Sequence, residues 1–439
     1  MPNYHFEDET VGMLIEAIDG ETEVQISVPG REELDHSALL SPGAGPYNFP
    51  TSSSLIHQNT AGPINTVLVR SDMDIAVLVY NMAPFTSDIY TAMPMKYAGD
   101  EYFVSLISRE RGSHPLFSGI LEISSLDGVA SIEIHLTSTI TFQNATSHFG
   151  DIFRHTLLPF ESIQLLPPFT NITGSRILSN ASILVSAGSK CADVPQEVGA
   201  CDHLAEQLAP FKSWGKVFVV SPIAGRPSGY LLQVVAGRDN TRVSIGVLNL
   251  ELSMGEYDTI DVTTQEMKFL TSNNPISIMQ YSKGTRIDGK GDPSMSRVVP
   301  NEQFVSEAFF PVHRFQSNMS TINTTYLEIT TDCEYVNSVS LSRNGEDIQP
   351  SVIEEYSLEI GSGSRMCTRW SEIAPGSYSV RSRDVTLPDG QRVYPRFRAV
   401  VSGYEGVSES YLYRAASDDR ELTCSSQFTD EFDCPGEHD

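Results

Sequence analysis

The sequence predicts an all-β fold, and three observations carry that expectation. Short runs rich in Val, Ile, Leu, Tyr, Phe and Thr recur every eight to twelve residues, clusters of Gly, Pro, Asn, Asp and Ser separate them, and ordered landmarks return along the chain. β-Branched and aromatic runs bounded by turn formers read as strands. A repeat of roughly 95 to 110 residues has the length of one β-sandwich, whereas four-stranded propeller blades recur at about 45. The expectation is therefore tandem β-sandwich-like modules built from about four internal repeats. A closed, propeller-like ring of paired blades is the alternative.

The first landmark is a strand, SDMDIAVLVY at Ser71 to Tyr80, which returns as SNASILVSAG at Ser179 to Gly188 and SNNPISIMQY at Ser272 to Tyr281, 108 and 93 residues apart. The second begins at Leu14, Leu121, Leu231 and Leu327: an apolar strand, a turn holding Asp, Gly or Asn, and a second apolar strand. Such a pattern reads as a β-hairpin. The third is a short Pro- or Gly-containing turn, seen in LLPFES, LSMGEY and IAPGSY. These landmarks divide the chain into a partial first repeat (1–70), a second (71–178), a third (179–271), a fourth with closing strands (272–415) and an acidic tail or linker with two cysteines (416–439). One short helix is expected near 202–209: Asp202 caps DHLAEQLAPF, Leu204 and Leu208 share a face, and Pro210 stops it.

The chain has 439 residues, with 29 Lys and Arg against 56 Asp and Glu, for a net charge of −27. That much negative charge repels phosphate backbones, so no nucleic-acid partner is expected. No window approaches the roughly 18 apolar residues of a membrane helix. Met1 is followed by PNYHFEDETVG, neither basic nor apolar, and the first repeat lacks the aromatic strand that precedes the later ones. The chain is accordingly read as starting inside a longer precursor.

The six cysteines fall as sequence neighbours, Cys191 with Cys201, Cys333 with Cys367 and Cys424 with Cys434. Three local disulfides in an oxidising compartment are the working expectation, with connectivity left open by the sequence. Asn-x-Ser/Thr sequons at Asn144, Asn171, Asn180, Asn318 and Asn323 add the expectation of a glycosylated, secreted surface. Ordinary polar loops are the alternative reading.

Cys191 to Val220, CADVPQEVGACDHLAEQLAPFKSWGKVFVV, resembles the N-terminal domain of the IgG Fc-binding protein family. GYLLQVVAGRDNTRVSI, LSMGEY, SNNPISIMQYSKG, GDPSMSRVVPNEQF and FRAVVSGYEGVSESYLYRA follow in the family's order, so the resemblance spans about residues 1 to 415. It implies a secreted glycoprotein of mucus or matrix with a protein or glycoprotein ligand. IgG Fc enters as a partner by that resemblance only. In the block itself, a disulfide between Cys191 and Cys201 would brace the chain, or would present Asp202, His203 and Glu206 as a binding surface.

Catalytic signatures are missing from the sequence: no GxSxG elbow, HExxH helix, Walker loop or GxGxxG fingerprint occurs. No enzyme activity and no cofactor are expected. His203 and Glu206, three apart on the expected helix, read as a solvated face rather than a metal pair. Asp288 and Asp292 in DGKGDPS read as a plain turn, with calcium ligation as the alternative.

Overall fold

The computed structural model describes residues 9–57, 59–108, 117–167, 170–314, 324–361, 363–386, 390–406 and 409–422. Cys424, Cys434, Asn318 and Asn323 lie outside the described residues. Within them the chain is all-β, and its α-helical structure is the single turn Thr285–Asp288.

Four groups of strands repeat one plan. In the first, β1 (Thr10–Ala17) and β2 (Thr22–Ser27) lie in different sheets; β3 (Ile75–Ala83) pairs with β1, Leu14 opposite Leu78, and β4 (Thr86–Thr91) pairs with β3. In the second, β5 (Gly119–Ser125) and β6 (Ala130–His135) both pair with the long β7 (Arg176–Ala192), and β8 (Asp202–Gln207) pairs with its end. The third repeats this with β9 (Tyr230–Ala236), β10 (Thr241–Ile245), β11 (Lys268–Ser282) and β12 (Met295–Arg297). In the fourth, β13 (Thr324–Asp332) and β14 (Val339–Arg343) again lie in different sheets, while β15 (Phe397–Glu405) pairs with β13 and β16 (Glu409–Arg414) with β15. The three copies of the first sequence landmark are thus β3, β7 and β11, and β15 fills the same place in the fourth group.

Two expectations are corrected. The second landmark does not form a hairpin: β5 takes Val185 of β7 opposite Ile123, while β6 takes Ile177 opposite Ile134. In the second and third groups its two arms pair with different stretches of a long third strand, which in the second lets Ile123, Ile132 and Ile134 join one core, and in the first and fourth they lie in different sheets. The expected helix at 202–209 is strand β8 followed by a single 3-10 turn, Phe211–Ser213. Intrinsic helix propensity is a weak prior, and here six residues gain a β ladder along β7, from Ser186 opposite Gln207 to Ala192 opposite Asp202. Gly188 permits it, because a Cβ there would sit 1.8 Å from the carbonyl oxygen of Leu204.

The groups share cores. Leu14, Leu78 and Ile89 of the first pack with Phe310, Val401 and Tyr413 of the fourth. Val185 and Leu204 of the second join Met279 and Tyr281 of the third, and Phe218 and Ile278 of the third join Val400 and Leu412 of the fourth. At about 1.5 to 3 kcal/mol per fully buried large apolar side chain, these seams bind the groups together. The last hairpin strands meet at the centre, where β4 packs on β8, β8 on β12, β12 on β16 and β16 on β4. The sandwich-like repeats therefore close into a ring.

Candidate functional site: a charged hub

The four central strands carry SDIY, DHLAEQ, MSR and ESYLYR, so acids and arginines meet where the ring is driest. Asp88 on β4 accepts the Ala205 N–H of β8 at 2.9 Å, and Asp202 on β8 accepts the Ser87 N–H of β4 at 3.0 Å. Glu206 accepts the Arg297 N–H at 3.0 Å and lies 3.1 Å from Nη1 of Arg414. Glu409 accepts the Phe85 N–H at 3.2 Å. Arg297 pairs with Asp419, whose other oxygen is 3.8 Å from Nη2 of Arg414. Ser410 donates its hydroxyl to the Asp292 carbonyl, and Arg226 donates to the carbonyls of Lys283, Gly291 and Asp292. Every group of strands thus holds its neighbours by charge-assisted hydrogen bonds, roughly twice as strong as neutral ones.

Burial sets the protonation of the hub. It raises the carboxyls of Asp88 and Asp202 well above the ordinary range, and the neighbouring Asp292 raises Asp202 further. Asp292 itself is pushed up to about 7 by burial, with Glu409 adding to the rise and the Thr285 N–H and Arg226 opposing it. Asp419 goes the other way: burial alone would raise it, but Arg297 and Arg414 outweigh burial and hold it low. Burial keeps His203 neutral, with its pKa lowered to about 3.

The expected surface formed by Asp202, His203 and Glu206 is corrected: all three are 0% exposed, so none can meet a ligand from solvent. His203 and Glu206 therefore form no solvated helix face either. The Cys191–Cys201 disulfide, with Cα atoms 5.1 Å apart, staples the end of β7 to the start of β8, where Ala192 already faces Asp202. Cys333, the residue after β13, is bonded to Cys367 of the strand Ser364–Glu372 that pairs with β13. Asp292 is buried, and its main-chain carbonyl accepts the Ser410 hydroxyl of the hub. Among the described residues no group of three or more His, Cys, Asp or Glu is placed to hold a metal ion. No described helix is long and apolar enough to cross a membrane.

Of the sequons, Asn144 sits exposed at a hairpin tip and Asn180 is exposed on β7. Asn171 is half-buried, its Nδ2 donating to the Tyr257 hydroxyl at 2.9 Å and its Oδ1 accepting the Thr173 N–H. One repeat escaped the sequence reading: after each of the first three central strands a proline opens a 3-10 turn, at Pro94, Pro210 and Pro300. The residue closing that turn's exit packs on the next copy: a Cβ on Gly99 would lie 2.4 Å from Pro210, and one on Gly215 would lie 2.3 Å from Pro300. The available signal was a proline followed within five residues by a glycine in two of the copies, Pro94 with Gly99 and Pro210 with Gly215.

Fold and hub together define a ring of β-sandwich-like repeats whose central polar groups serve cohesion between repeats. The chain belongs to the IgGFc binding protein family, whose model matches residues 88–383. It is similar to the IgGFc-binding protein of Homo sapiens, 26% identical over 226 residues, an alignment covering 50% of this chain and 4% of the human protein.

Proposed function

We propose that this chain is a binding and adhesion module of a secreted glycoprotein, acting through its outer surface and not through catalysis. The family match over residues 88–383 carries the reading. Three features support it. Two disulfides fit an oxidising compartment. Asn144 and Asn180 lie where glycans can be accommodated. The buried charges are used between repeats, which leaves the outer strands and turns to meet a partner.

The ligand proposed is a protein or glycoprotein, with the Fc part of IgG as the first candidate because the human relative bears that name. A spacer whose tandem modules set length is the second reading. It is favoured less, because the first and fourth groups share a core and the repeats gain no length end to end. Retention of IgG Fc, or of a saturable component of mucus or matrix extract, by the disulfide-intact glycosylated chain at physiological salt tests the reading. No partner above background would overturn it in favour of the spacer.

A further inference from the structure

After β16 the chain turns back onto the ring, and residues 417–422 lie as a strap against the 3-10 turns Phe211–Ser213 and Asn301–Gln303. The ring holds main-chain groups of this strap. The Asp418 N–H donates to the Gln303 carbonyl at 3.2 Å and the Leu422 N–H to the Lys212 carbonyl at 2.7 Å. The Ser213 hydroxyl donates to the Asp419 carbonyl at 2.9 Å, and Nε2 of Gln303 donates to the Arg420 carbonyl at 3.1 Å. One side chain of the strap is buried: Asp419, set between Arg297 and Arg414. Arg420 and Glu421 are exposed, and Ser417, Asp418 and Leu422 are half-buried.

Such a segment is seated on the ring and not built into its core. β16, just before it, is buried at every residue, whereas the strap puts no large apolar side chain into a core. Segments held that way open at lower free energy than core strands. Main-chain bonds joined to one selective side-chain pocket are also how a groove recognises a foreign peptide. The seat has bonding capacity that the strap leaves unused. Nε of Arg297 and Oε1 of Gln303, in residues 4% and 0% exposed, have no hydrogen-bond partner among the described residues.

We propose that Arg297, Arg414, Ser213 and Gln303 form a docking site for an acidic peptide segment of a partner protein, bound by its main chain and one Asp or Glu carboxylate, and that residues 417–422 are a tethered stand-in that keeps this site closed. The strap itself displays the chemistry of the ligand, a carboxylate between two guanidinium groups. An emptied seat would leave buried arginine charge without its counter-ion, which is costly. The strap is therefore exchanged for another carboxylate and not simply lost. This site is separate from the outer surface, and its ligand is independent of any partner bound there.

The probe is a synthetic peptide of residues 416–422, ASDDREL. A short tether gives the strap an effective concentration of about millimolar, so the full, disulfide-intact wild type should bind the probe weakly. Asp419→Ala removes the competing carboxylate and should bind it at least about tenfold more tightly. A scrambled peptide of equal charge, and the probe carrying Asp419→Asn, should not bind. Binding of acetate but not of the probe by Asp419→Ala would reduce the seat to a simple anion site and overturn the proposal, as would binding of neither. Should Asp419→Ala not fold, the isotope-labelled wild type decides. Excess probe should speed hydrogen exchange at the Asp418 and Leu422 N–H groups, with exchange in β16 unchanged; constant exchange at those two groups refutes the proposal.

Discussion

Asp88 and Asp202 clasp each other's strands: each carboxylate accepts a main-chain N–H from the strand that carries the other, at 2.9 and 3.0 Å. The first group is thereby locked to the second by two reciprocal bonds in a region closed to water. Leaving a buried N–H without an acceptor costs about 1–3 kcal/mol. Asp202→Ala strips the acceptor from the Ser87 N–H, while the His203 N–H keeps the Thr86 hydroxyl at 2.9 Å. It is expected to lower stability by about 1 to 3 kcal/mol, measured as a shift of the denaturant midpoint, while Asp202→Asn recovers part of the loss.

Arg414 holds Glu206 at 3.1 Å and stands 3.8 Å from Asp419, with all three side chains buried. Removing one member of a buried ion pair costs about 3–5 kcal/mol, because the remaining charge is stranded. Arg414→Met should fall in that range by equilibrium unfolding. Adding Glu206→Gln should return a substantial part, since the stranded charge is then gone.

Asp419 predicts the acid limit. Its carboxyl is held low by Arg297 and Arg414, so it contributes stability above the usual carboxylate range, and that stability is lost as pH falls through its folded value. Residues 417–422 lie on the ring through this ion pair and through the Leu422 N–H to Lys212 carbonyl bond at 2.7 Å. Hydrogen-exchange protection of this segment should be lost as the pH falls below the usual carboxylate range, before that of β7 or β11.

Gly188 is where β8 comes too close for any side chain. Gly188→Ala should separate β8 from β7 and so dismantle the hub, read as loss of the cooperative unfolding transition of the purified chain. Gly128, with open space around its position, serves as the control: Gly128→Ala should unfold as the wild type does.

Glycan occupancy should follow geometry. Glycopeptide mass spectrometry of the chain expressed through a secretory pathway is expected to find glycans on Asn144 and Asn180 and an unmodified Asn171. A sugar on Nδ2 of Asn171 would displace its bond to Tyr257.

The sequence by itself determined the strand content, the repeat and the position of the long central strand in three groups. These depend on period-two apolar runs and turn residues, which are local properties. It suggested Cys191 with Cys201 as sequence neighbours but left the connectivity open, and the structure joins them at a separation of 10.

Only the tertiary structure decided the rest. DHLAEQ has the residues of a short helix, and it becomes a strand because Gly188, more than a dozen positions earlier, opens a ladder for it. The arms around Asp127 and Gly128 look like a hairpin, yet each pairs with a different half of β7, which no local window contains. Asp88, Asp202, Glu206, Asp292, Arg297 and Arg414 look like solvated surface charges one at a time. They become a buried hub because ring closure brings four distant strands together and removes the water between them, and hydrogen bonds across that junction offset the cost of desolvation.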